Sequence, residues 1–67
     1  DLARAEREWR AVQRLLPFYE PAFYGLGNVL DAQGKSTEAV QAFRGALARR
    51  PDRPEIVNGL ALALAAR

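Results

Sequence analysis

FYGLGNVLDAQGKSTEAVQAFRGALARRP, residues 23–51, decides the fold. In its first half, Phe23, Leu26, Gly27 and Leu30 recur at three- and four-residue steps, which places them on one stripe of a helix. The second half repeats the pattern with Ala39, Phe43 and Ala46, flanked by Val40 and Leu47. Between them Gly34 suits a left-handed C-terminal cap, and Ser36 or Thr37 suits the N-cap of the helix that follows, the third of the chain. Pro51 closes that helix. Gly27 costs about 1 kcal/mol against Ala inside a helix, so its presence predicts a close approach of the two helices. The expected contact sets Gly27 against Ala39, with Phe43 filling the space beside them and Gly45 marking a second contact.

Outward from this hairpin, a shift of 34 residues lays the first half of the chain on the second. Ala5 falls on Ala39, Trp9 on Phe43, Val12 on Ala46 and Pro17 on Pro51. Phe23, Leu26, Gly27 and Leu30 fall on Val57, Leu60, Ala61 and Leu64. Two further helices follow. The first runs over Asp1 to Leu16 with Leu2, Ala5, Trp9, Val12 and Leu16 on its apolar stripe, and with Arg4–Glu8 and Glu6–Arg10 as stabilising pairs four residues apart. The last starts at Asp52, Arg53, Pro54, Glu55, which has the spacing of a capping box, and turns Val57, Leu60, Ala61 and Leu64 inward. The second helix spans about Pro21 to Gln33, with Pro21 in its first turn. No stretch has the period-two alternation of a strand, so the class is all-α.

Composition narrows the function. With 67 residues the chain holds at most one compact unit, and 49% apolar residues can build a core. It contains no Cys and no His, which removes disulfides, ordinary structural zinc and Cys–His or Ser–His–Asp chemistry. Its acidic residues are scattered over exposed faces and no phosphate loop is present, so neither enzyme nor cofactor nor metal is expected. Ten basic against eight acidic residues leave a net charge of +2, too little to point to nucleic acid. No apolar run approaches the roughly 20 residues that span a bilayer, and no signal peptide is visible. A soluble module is expected, suited to the cytoplasm or, in a bacterium, the periplasm. A start at Asp1 and the lack of any Met suggest a piece of a longer polypeptide.

A fixed period of this length indicates a solenoid of helix hairpins, each burying its apolar face on its neighbours. The chain resembles the tetratricopeptide repeat family, whose pattern Phe23, Leu26, Gly27, Leu30, Ala39, Phe43, Ala46 and Pro51 fill in order. Phe23 stands for the usual Trp and Leu30 for the usual Tyr. The resemblance implies one complete repeat over 20–53, preceded by a second helix over 1–19 and followed by a first helix over 54–67. The implied architecture is four helices in antiparallel hairpins, stacked as a right-handed α-solenoid.

It also implies a non-catalytic protein–protein interaction or scaffold module, with a peptide or partner helix received in a concave groove. Tyr24, Asn28 and Asp31 would line that groove, joined by Asn58, Leu62 and Ala65. Asn28 can donate and accept at once, as a peptide backbone requires, and Tyr24 offers a flat apolar surface with a polar tip. Some members hold a C-terminal carboxylate with converging Lys and Arg. Here Asp31 opposes that, and Arg67 alone is basic near the groove. The Arg44, Arg49, Arg50 and Arg53 cluster is explained by the negative end of the third helix, with an RNA or acidic-protein patch as the alternative reading. A structural spacer in a larger assembly is a further alternative. Finally, the half repeats leave Leu2 and Trp9 on the first helix and Leu60 and Leu64 on the last without partners, which predicts either head-to-tail association between copies or burial of these surfaces by the rest of a longer parent protein.

Overall fold

The computed structural model describes residues 1–66, and these form four helices: α1 (Leu2–Leu15), α2 (Glu20–Ala32), α3 (Ser36–Arg49) and α4 (Pro54–Ala66). No strand occurs among the described residues. The helix bounds obey the 34-residue period, because α1 laid on α3 and α2 laid on α4 coincide at both ends.

Two boundaries have a clear local cause. Asp1 caps α1 through its carboxylate, which accepts from the Ala3 amide at 3.0 Å. Gly34, with φ of 79°, ends α2 as expected, and the amides of Gly34 and Lys35 donate back to Asp31 and Leu30 at 3.0 and 2.9 Å. That pair of bonds is the Schellman pattern, which satisfies carbonyls the helix would otherwise leave open. Two expected caps are not made. Ser36 is already the first residue of α3, and Lys35 precedes it without a side-chain cap bond, so neither Ser36 nor Thr37 serves. Asp52 stands two residues ahead of α4 and accepts from Arg50 Nε at 3.3 Å instead of forming a box with Glu55.

α1 meets α2, α2 meets α3 in the most extensive contact, α3 meets α4, and α2 touches α4 lightly. α1 and α3 make no such contact, so the layer curves toward the side of α2 and α4. The molecule is a slab of 30 × 27 × 14 Å. Its core is Leu26, Leu30, Ala39, Val40, Ala42, Phe43 and Ala63, with Trp9, Tyr24 and Leu60 packed against it.

Aromatic rings lie directly on glycines. Phe43 sits between Gly27 and Gly59, and a Cβ on either would stand 2.7 or 2.8 Å from its ring. Gly27 therefore admits the Phe43 ring itself, where Ala39 was expected. Trp9 covers Gly25, and Phe23 covers Gly45, the second contact the sequence pointed to. Gly25 follows Trp9, and Gly59 follows Phe43, by the same 16 residues, so one packing device recurs at the repeat period.

Two apolar stripes lie elsewhere than expected. On α4 the buried residues are Ile56 and Ala63, with Leu60 half-buried, whereas Val57, Ala61 and Leu64 are exposed. Ile56 is one period after the buried Ala22, so α4 buries the face that turns toward the preceding helices. The face that α2 gives to α3 is covered in α4 by no described helix. On α1 no residue is fully buried: Trp9 reaches α2, while Leu2 and Leu16 are exposed.

A candidate partner-binding face

Asn28 and Asp31 on α2 and Asn58, Leu62 and Ala65 on α4 are all exposed, on the two helices toward which the layer curves. Leu62, at 67% exposure, is the most open large apolar side chain of α4. Tyr24 differs. It is half-buried, its ring centroid lies 6.0 Å from that of Phe43 at a tilt of 56°, and the Arg53 guanidinium stands 5.3 Å from its centre. Tyr24 thus belongs partly to the core and offers the face one edge. Arg67, weighed at the sequence level for a carboxylate clamp, lies outside the described residues.

The arginine cluster is largely occupied within the fold. Arg49 donates to the carbonyls of Pro17 at 3.2 Å and Gly45 at 2.9 Å, and its guanidinium lies 4.0 Å from the Phe23 ring centre. Arg53 donates to Glu20 Oε1 at 2.6 Å, and that bond holds its guanidinium pKa above the ordinary value. Arg50 pairs with Asp52, whose carboxyl it lowers. Arg44 is exposed on α3. Beside them opens a cavity of about 330 Å3 lined by Phe18, Tyr19, Glu20, Pro21 and Arg49, Arg50 and Arg53. Phe18 is the most exposed aromatic in the chain, and the Arg49 guanidinium 6.0 Å from its ring centre ties this loop to the end of α3.

Glu20 was not singled out by sequence. It is 4% exposed at the start of α2, where a carboxylate suits the helix dipole, and its bond to Arg53 joins that helix start to the loop before α4. The 33-residue separation, nearly one period, was the only signal. Glu6 was expected to pair with Arg10 and does so at 2.9 Å, and Arg4 approaches Glu8 at 3.8 Å. Glu6 also accepts from Lys35 at 3.3 Å, fastening α1 to the turn after α2. Arg10 first, then the Gln33 amide and Lys35, hold the Glu6 carboxyl below its ordinary pKa.

On the outer side of α1, Ala5, Glu8, Trp9 and Val12 line an open cavity of about 320 Å3. Of the side chains expected to mediate self-association, Leu2 and Leu64 are exposed, whereas Trp9 and Leu60 are turned partly into the core.

Stacked antiparallel helices with a fixed period and one concave side define a helical-repeat protein. The family model for the tetratricopeptide repeat matches residues 1–54 and again 24–67, so the chain belongs to the tetratricopeptide repeat family. Repeats of this family are in general protein–protein interaction modules and typically non-catalytic scaffolds. No curated protein and no solved structure matches the chain. No described helix is long and apolar enough to cross a membrane.

Proposed function

We propose that this chain is a non-catalytic recognition segment that holds a peptide or partner helix on the face formed by α2 and α4. The observation that carries the reading is the pairing of exposed amides with an exposed apolar side chain on the two helices that approach each other. Asn28 and Asn58 supply hydrogen-bond donors and acceptors for an extended backbone, one on each helix. Leu62 supplies apolar area between polar neighbours, the mixture that gives an interface its anchor and its rim. Tyr24 contributes an edge already fixed by Phe43 and Arg53, so little side-chain freedom is lost when it is contacted. Asp31 favours a ligand with a donor or a cation opposite it and opposes a terminal carboxylate.

Nucleic acid is the weaker reading. Arg49, Arg50 and Arg53 each hold a partner within the chain, and the net charge of the whole chain is only +2.

The test is binding of a peptide selected from a library against the immobilised chain, followed by fluorescence anisotropy. Asn28→Ala and Leu62→Ala should each weaken that peptide by about five- to tenfold with unchanged helicity. Unchanged affinity in both variants would remove the face from consideration.

A further inference from the structure

We propose that the two turns after α1 and α3 form a second recognition site, which takes an acidic peptide segment with an apolar side chain beside its carboxylate. The turns are one structure used twice. Residues 15–19 and 49–53 stand 34 positions apart, and the residues that end their helices, Leu16 and Arg50, have φ and ψ of −132° and 75° and of −138° and 77°. Each turn closes the same way, with the amides of Tyr19 and Arg53 donating to the carbonyls of Leu16 and Arg50. Their side chains are opposite in kind. The first turn reads LLPFY and the second RRPDR, so the backbone requires no apolar residue beside the shared proline. Phe18 is nevertheless 84% exposed where its counterpart is Asp52, with Leu16 and Tyr19 also exposed on the same turn. An apolar patch that folding does not require, rimmed by charged groups, is a surface for a partner. It stays open with the other turn in place: Phe18 keeps its exposure beneath Arg49, and Asp52, in the turn that packs on the first, keeps 72% of its side chain exposed.

The cavity of about 330 Å3 between the turns supplies the polar half of the site. Its wall holds three guanidinium groups and one carboxylate, an excess that favours an anion. Arg49 uses Nε and Nη1 on the carbonyls of Pro17 and Gly45, Arg50 uses Nε on Asp52, and Arg53 uses Nη1 on Glu20. The Nη2 group of each donates to nothing among the described residues. A guanidinium fork fixed in this way aims its remaining N–H groups, which suits a carboxylate. Asp52 and Glu55 approach Arg50 and Arg53 from outside the wall and compete with such a ligand. Glu20 states the second requirement. Its Oε1 takes the Arg53 bond, while its Oε2 is buried and has no partner among the described residues, a cost that a donor entering the cavity removes. Chloride or sulfate brings charge without a donor. An acidic peptide brings both, a carboxylate for the arginines and a backbone N–H for Oε2, and its apolar neighbour lies on Phe18 and Tyr19. The site is separate from the face of α2 and α4, and neither reading rests on the other.

Fluorescence anisotropy tests this with a labelled short peptide, blocked at both ends, whose one charged residue is an aspartate followed by a phenylalanine. The unaltered chain should bind it with a Kd below about 1 mM. Phe18→Ala and Arg50→Gln, both at exposed positions, should each weaken binding by about fivefold or more with unchanged helicity. Asp52→Asn removes the acid that competes for Arg50 and should tighten binding by about twofold or more. The same peptide methylated on the aspartate backbone nitrogen has no N–H for Glu20 and should bind about fivefold more weakly. Asn28→Ala and Leu62→Ala should leave this affinity unchanged. Absence of binding, unchanged affinity in Phe18→Ala and Arg50→Gln, weaker binding in Asp52→Asn, or equal binding of the methylated peptide would overturn the proposal. So would a single-stranded RNA that binds more tightly than the peptide and displaces it.

Discussion

Phe43 is held between Gly27 and Gly59, and these glycines are required because no Cβ fits beneath the ring. Gly27→Ala would gain about 1 kcal/mol in helix propensity. It would also force the ring and its neighbours apart in a packed core, where overpacking costs about 1–3 kcal/mol. The expected result is a net loss of stability in urea unfolding for Gly27→Ala and Gly59→Ala alike, and equal or greater stability would show that the ring has room to move. The sequence alone displayed Gly27 as a contact glycine, because the helix pattern around it was complete. Gly25 and Gly59 were equally legible in principle. They lie one period apart and 16 residues after Trp9 and Phe43, but a small residue announces no apolar stripe.

Helices and their ends were readable where a backbone requirement is local. Gly34 and Pro17 act through φ and a missing donor, which neighbours cannot override, and both ends fall where expected. The caps proposed for Ser36 and Asp52 failed because each requires a helix to begin one residue elsewhere. The inward face of α4 was misread for a different reason. Val57, Ala61 and Leu64 follow the α2 pattern, but that pattern records which side a following helix would cover, and no described helix lies on that side of α4. Burial depends on a neighbour, and periodicity does not state whether the neighbour is there. At the level of elements, Glu6 pairs with Arg10 within α1 and fastens that helix to the turn before α3 through Gln33 and Lys35. Its carboxyl has a lower pKa folded than unfolded, so its contribution is present above the unfolded value of about 4.3 and fades as pH falls through the folded value. Thermal unfolding followed from pH 6 to pH 3 should show a drop in Tm that is smaller in Glu6→Gln. Parallel curves for the two proteins would mean that the bonds of the Glu6 carboxylate to Arg10, Gln33 and Lys35 do not contribute to stability.

Across the whole molecule, curvature follows from the uneven contacts of the four helices: α2 and α4 meet, α1 and α3 do not. Asn28, Asp31, Asn58 and Leu62, on the two helices that meet, are exposed and not used by the core, and the proposed recognition rests on them. The architecture was visible as a period in the sequence. The candidate face was visible only as positions beside the buried stripe, and Tyr24 among them is drawn halfway into the core by Phe43, a contact that depends on the crossing of helices rather than on spacing. The most direct measurement is a nuclear magnetic resonance map of backbone amide shifts on titration with a selected peptide, at chain concentrations low enough to keep the protein monomeric. The largest changes should fall on α2 and α4 around Asn28, Asp31, Asn58 and Leu62. Changes confined to α1 and α3, or to the loops holding Phe18 and Arg50, would contradict recognition on the concave face.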